Sequence, residues 1–85
     1  MSRSLFTKAN EKLVEVLIEA RQKAGLRQAD VAKKLGKNQS YVSNIERGQR
    51  RVDVVEFYVL AKAMNVDPSE LFDRAVKDFP ETLEI

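Results

Sequence analysis

No cysteine and no histidine occur among these 85 residues. Their absence removes disulfides, thiol chemistry, imidazole general bases and the usual zinc and haem ligand sets, so no metal and no cofactor is expected. Long apolar runs are also missing. Nothing approaches the ~18 consecutive apolar residues of a membrane span, and the opening MSRSLFTKAN has no apolar signal-peptide region. The expectation is a cytoplasmic protein that does not enter a membrane. Glycine and proline are scarce, three and two respectively. What is plentiful is apolar surface at 44% and charge at 33%. That composition predicts one small, folded domain, because a chain this short buries only a little over ~60% of its extended surface.

A net charge of +2 says little about a partner until it is divided by position. Residues 1–20 balance to zero. Residues 21–51 hold nine basic side chains against Asp30 and Glu46, giving +7. Residues 52–85 hold three basic against eight acidic, giving −5. The middle of the chain is therefore suited to a polyanion.

The glycines fall where helices would end, and the pattern reads as all-α. A first helix runs from about Thr7 or Asn10 to Ala24, with Leu13, Leu17 and Ala20 at helical spacing and Gly25 as terminator. A second spans about Gln28 to Leu35 and stops at Gly36. A third runs from Gln39 to Arg47, with Asn38 as a side-chain N-cap and Gly48 beyond its end. Only Gly36, Lys37 and Asn38 separate these two, the length of a helix-turn-helix connection. A fourth helix, about Val54 to Met64, carries an Asp53 and Glu56 capping box and an apolar stripe of Val55, Tyr58 or Val59, and Met64. A fifth starts at Pro68 after Asp67, with Leu71, Phe72 and Ala75 facing inward. The domain reading is an N-terminal arm at 1–9, a helix-turn-helix domain at 10–76 and a C-terminal tail at 77–85, the tail a candidate for dimerisation or partner binding.

Within Leu26 to Gly48, LRQADVAKKLGKNQSYVSNIERG, several residues stand together: Gln28 opening the second helix, Ala32 at its middle, Leu35-Gly36 at the turn, Val42 and Ile45 as apolar anchors, and Ile45-Glu46-Arg47-Gly48 at the close. The segment resembles the helix-turn-helix of the XRE family, which includes the lambdoid phage repressors and Cro proteins. The likeness continues into Leu60 to Val66 and Glu70-Leu71-Phe72, covering about residues 10–75. It implies a compact five-helix, lambda-repressor-like DNA-binding domain. The residues support this independently, since a close helix crossing needs a small side chain and Ala32 supplies one.

In the third helix Val42 and Ile45 share one face while Gln39, Ser40, Ser43, Asn44 and Arg47 populate the other. No acid precedes Glu46 there, so nothing repels a groove lined by phosphates. Gln and Asn can pair bidentately with adenine, and hydroxyls serve several bases. By the resemblance Gln39, Ser40 and Asn44 match positions that reach base edges, with Tyr41 and Ser43 next. Phosphate contacts are expected from Gln28 at the start of the second helix and from Arg27, Lys37, Asn38, Arg47, Arg50 and Arg51. For Lys33 and Lys34, a phosphate contact and a merely solvated charge are equally open. The resemblance also implies a partly buried structural ion pair between Arg21 and Glu46. One departure is Arg27, where the family often has Ser, Thr or Asn. The helix cap would be lost there at a cost of ~1 kcal/mol, and a cation gained.

These residues together lead to a sequence-specific double-stranded-DNA-binding transcriptional regulator, a repressor, binding a palindromic operator as a homodimer. Val66, Leu71, Phe72, Phe79, Leu83 and Ile85 are candidates for the dimer interface, with closure of the monomer core as the competing role for Leu71 and Phe72. The rival reading is an antitoxin or adaptor whose acidic C-terminal tail engages a protein partner. Catalysis is not expected: Glu11 and Glu15 lie amid Lys8 and Lys12 and read as exposed salt-bridging positions.

Overall fold

The computed structural model describes residues 7–85. They form α1 (Lys8–Lys23), α2 (Gln28–Lys34), α3 (Gln39–Glu46), α4 (Val54–Ala63) and α5 (Pro68–Lys77). Most of the arm expected at 1–9 lies outside the described residues. Residues 8 and 9 already belong to α1, because Thr7 is its N-cap: the Thr7 hydroxyl oxygen accepts from the Asn10 amide at 3.1 Å. On the outer face of α1, Lys8 pairs with Glu11 at 3.9 Å and Lys12 with Glu15 at 3.6 Å.

α2 packs on α3, α1 on α5 and α3, and α4 on α5 and α2. The core between them joins Leu17 and Ala20 of α1, Val31 and Ala32 of α2, Val42 and Ile45 of α3, Phe57, Leu60 and Ala61 of α4, and Leu71 of α5. Ala32 is the small residue at the α2–α3 contact, and with almost no accessible surface it has no room to grow.

Four of the five helices end in the same way. After α2, the amide of Gly36 reaches the Lys33 carbonyl at 3.1 Å and that of Lys37 reaches the Ala32 carbonyl at 2.9 Å. This Schellman turn requires a left-handed residue, and Gly36 takes φ +67°. Gly25 and Gly48 do the same for α1 and α3. α4 uses Asn65 instead, at φ +59°, with its amide on the Lys62 carbonyl and that of Val66 on the Ala61 carbonyl. Asparagine is the residue besides glycine that best tolerates this region. α4 is further closed by Lys34, whose ammonium donates to the Ala63 carbonyl at 3.0 Å. This contact is structural and differs from both roles considered for Lys34, a phosphate contact and a solvated charge.

Three sequence expectations need correction. The α2 cap is not wholly lost: the Arg27 side chain caps nothing, but the Asp30 carboxylate accepts from the Arg27 amide at 2.8 Å, which keeps the reciprocal half of a capping box. The buried stripe of α4 is Phe57, Leu60, Ala61 and Met64, whereas Val55 and Tyr58 are 69% and 53% exposed. α4 is apolar nearly all round, so periodicity alone does not select its inner face. Of the residues offered for a dimer interface, Leu71 takes the competing role also considered for it, closure of the monomer core, and Val66 packs against that core. Phe72, expected to face inward, is 47% exposed and meets the Phe57 ring edge-on at 5.8 Å. In the tail, Phe79 folds back edge-on to Phe72 at 6.2 Å, while Leu83 and Ile85 are exposed.

Candidate nucleic-acid interface

α3 is fastened from beneath by Val42 and Ile45, both nearly inaccessible. The opposite side presents Gln39 and Ser40 exposed, Ser43 and Asn44 half-buried, and Arg47 exposed at the C-cap. Asn38 occupies the N-cap with extended backbone, yet its side chain makes no capping bond. The turn closes instead through the Tyr41 amide on the Asn38 carbonyl at 3.0 Å. The expected Asn38 side-chain cap is thus absent.

A polar chain fixes α3 against its neighbours. Arg21 of α1 engages Glu46 through two parallel bonds, Nε to Oε2 at 2.7 Å and Nη2 to Oε1 at 3.0 Å. Its third nitrogen donates to the Leu26 carbonyl at 2.8 Å. The two side chains retain only 14% and 9% exposure, so each charge depends on the other. Gln28 extends the chain: its amide nitrogen donates to Glu46 at 2.9 Å, and its amide oxygen accepts from the Gln39 side chain at 3.3 Å. The first residue of α3 is therefore oriented by a relay that begins inside the domain. At the other end of the helix, Arg47 donates to the Asn44 side-chain oxygen.

Tyr41 faces a different direction from the other four base-contact candidates. Its hydroxyl donates to Glu56 of α4 at 3.0 Å, the Arg50 guanidinium lies 4.7 Å from its ring centroid, and the Lys37 ammonium lies 5.3 Å from it. Arg50 also forms an ion pair with Glu56 at 2.8 Å. The Arg50 guanidinium and the Asp53 amide together draw the Glu56 carboxyl down to about 2. Burial, followed by the hydrogen bond to Glu56, pushes the Tyr41 phenol up to about 12. On the far flank, Arg27 pairs with Asp30 at 3.0 Å and holds that carboxyl at about 2.

All of the phosphate candidates lie on α2, on α3 or on the connections beside them. Two of them, Arg27 and Arg50, are tied to carboxylates that the sequence reading did not connect to them. Asp30 stands three residues after Arg27, a spacing that signals a pair on a helix. Glu56 was legible only as a capping residue, because its separation of 15 residues from Tyr41 follows no periodicity. Among the described residues no cluster of acidic side chains is arranged to hold a metal, and no helix is long and apolar enough to cross a membrane.

Comparison with known proteins agrees with this geometry. The helix-turn-helix family model matches residues 17–71. An XRE-family-like protein from Pseudomonas syringae pv. tomato superposes with a TM-score of 0.78 at 36% identity, covering 85% of this chain and 88% of that one. The restriction-modification controller protein C.Esp1396I, solved as a tetramer in complex with its natural 35 base-pair operator, gives a TM-score of 0.76 at 25% identity, over 85% of this chain and 95% of that one. An uncharacterized HTH-type transcriptional regulator, y4dJ of Sinorhizobium fredii, is 41% identical over 51 residues, which span 60% of this chain and 66% of the relative. The chain belongs to the XRE/Cro-like helix-turn-helix family of transcriptional regulators.

Proposed function

We propose that this chain is a sequence-specific repressor that binds a palindromic double-stranded operator as a homodimer, with α3 in the major groove. The observation that carries the reading is the outward face of α3. Gln39, Ser40, Ser43 and Asn44 present amides and hydroxyls on a helix locked by the Arg21–Glu46–Gln28 relay, and cations flank it on both sides. Those side chains suit base edges, and the surrounding cations suit phosphates. The acidic C-terminal third supplies charge of the opposite sign, so orientation on the duplex is set electrostatically as well as by shape.

The homodimer is supported by the outer side of α4 and α5. Val54, Val55, Tyr58, Phe72 and Val76 are between 43% and 85% exposed, and Val54, Tyr58 and Phe72 share an open groove with Leu13 and Val52. An exposed apolar face of this kind marks an association site, and a second copy supplies a matching one. One recognition helix reads too few bases for useful specificity, and C.Esp1396I assembles as a tetramer on its operator. Selection of bound duplexes from a random pool tests the reading: a palindromic consensus is expected, and no enrichment at low salt overturns it.

The antitoxin or adaptor reading draws support from Leu83 and Ile85, which stand exposed beside Glu81 and Glu84. A chain ending at Phe79 distinguishes the two. Both readings expect DNA binding to persist; the adaptor reading expects the full chain to capture a basic protein partner that the shortened chain loses, and the repressor reading expects no such capture by either.

A further inference from the structure

Arg50 is held more closely than a surface phosphate contact requires. Of its five N–H donors, one on each Nη goes to the two oxygens of Glu56, at 3.1 and 2.8 Å, and the second on Nη1 goes to the Arg51 carbonyl at 3.0 Å. The guanidinium carbon lies over the Tyr41 ring, 4.7 Å from its centroid. The donors left over are Nε–H and the second N–H of Nη2, which share one edge of the planar group. Two parallel donors on one edge are the arrangement that grips a phosphate bidentately. Glu56, for its part, spreads its charge over Arg50, the Tyr41 hydroxyl and the Asp53 amide.

Resting on the DNA-binding reading above, we infer that Glu56 is a positioning residue of the DNA interface: it binds the end of the Arg50 guanidinium so that the remaining edge is fixed for a backbone phosphate. Glu56 itself touches no DNA. An arginine restrained before binding loses less rotamer freedom when the phosphate arrives, so the contact is stronger than a free side chain would make. Lysine could not replace Arg50, since a single ammonium does not present two edges.

The test is a double-mutant cycle of Glu56→Gln and Arg50→Ala, read by fluorescence anisotropy on the selected operator and on a random duplex over a range of salt. Gln keeps an oxygen for the Asp53 amide, and thermal melting in parallel confirms that α4 stays folded. Arg50→Ala should weaken binding to both duplexes about tenfold and make the salt slope shallower by about one unit. Glu56→Gln should weaken both about three- to tenfold, shift the slope in the same direction, and have no such effect in the Arg50→Ala background. Glu56→Asp, which keeps the charge but shortens the reach, should show the same loss, and it replaces Gln if that variant melts early. Tighter binding by Glu56→Gln would make the carboxylate a competitor of DNA and overturn the inference. An equal loss with and without Arg50 would also overturn it, since that is the mark of a role confined to α4. If the unaltered protein binds no duplex at low salt, the DNA-binding reading fails and takes the inference with it. If the protein binds but the two positions are uncoupled, only the inference fails.

Discussion

α3 and α4 pack on the same core and follow one another in the chain, yet their outer sides are opposites. The outer side of α3 is polar, and its longer side chains are braced, Gln39 by Gln28 and Asn44 by Arg47, on a helix held from beneath by the Arg21–Glu46 pair. The outer side of α4 is apolar, and Val54, Val55, Tyr58 and Val59 leave 40–85% of their surface exposed. Polar groups lose nothing by waiting in water, so they can be arranged in advance and exchanged for base edges when a duplex arrives. Apolar groups do lose by waiting, and they are satisfied only by a surface of the same kind.

The contrast can be broken most severely at its foundation. Glu46→Ala strands the Arg21 guanidinium and should cost about 3 kcal/mol of stability in urea unfolding. A loss below 1 kcal/mol would mean that α3 is not held by the pair. On α4, Val55→Lys combined with Tyr58→Lys should leave the urea midpoint of the domain nearly unchanged, because both positions are more than half exposed. Sedimentation should then show single chains, and operator affinity should fall by roughly 10²-fold as the second half-site stops contributing. Gln39→Ala should lose roughly 1–3 kcal/mol on the selected operator and little on random DNA. Equal losses on the two would assign Gln39 to the frame and not to base reading. The smallest effect is in acid. Asp30 and Glu56 titrate near 2 in the folded protein, below the ordinary carboxylate values of 3.8 and 4.5. Their stabilisation is complete above the unfolded values and fades as pH falls toward 2. Glu56→Gln should flatten the melting temperature between about pH 5 and pH 2 relative to the unaltered protein.

Much of α2 and α3 was legible before any coordinates, because each is short, punctuated by glycine and apolar on one side. α4 was legible as a helix but not as a surface. Val54, Val55, Phe57, Tyr58, Val59 and Leu60 are apolar in nearly unbroken succession, and only packing on α2 and α5 chooses Phe57 and Leu60 for the interior. The same limit concealed the setting of Tyr41. Its place on α3 pointed to DNA, and the hydroxyl's partner lies on another helix at a separation that encodes nothing. Asn65 escaped notice for a simpler reason: the glycines marked three helix ends, and the fourth was marked by a residue that does the same work less conspicuously.

The Schellman ends have a bearing on how such a protein can change over evolutionary time. Where α2 and α3 stop is settled by Gly36, Gly48 and the carbonyls they help to satisfy, and where α3 sits is settled by Val42 and Ile45. Ser40 and Ser43 take part in neither decision. Those positions are open to drift and selection without penalty to the fold, so a lineage carrying this scaffold can acquire a new target sequence while its architecture stands still.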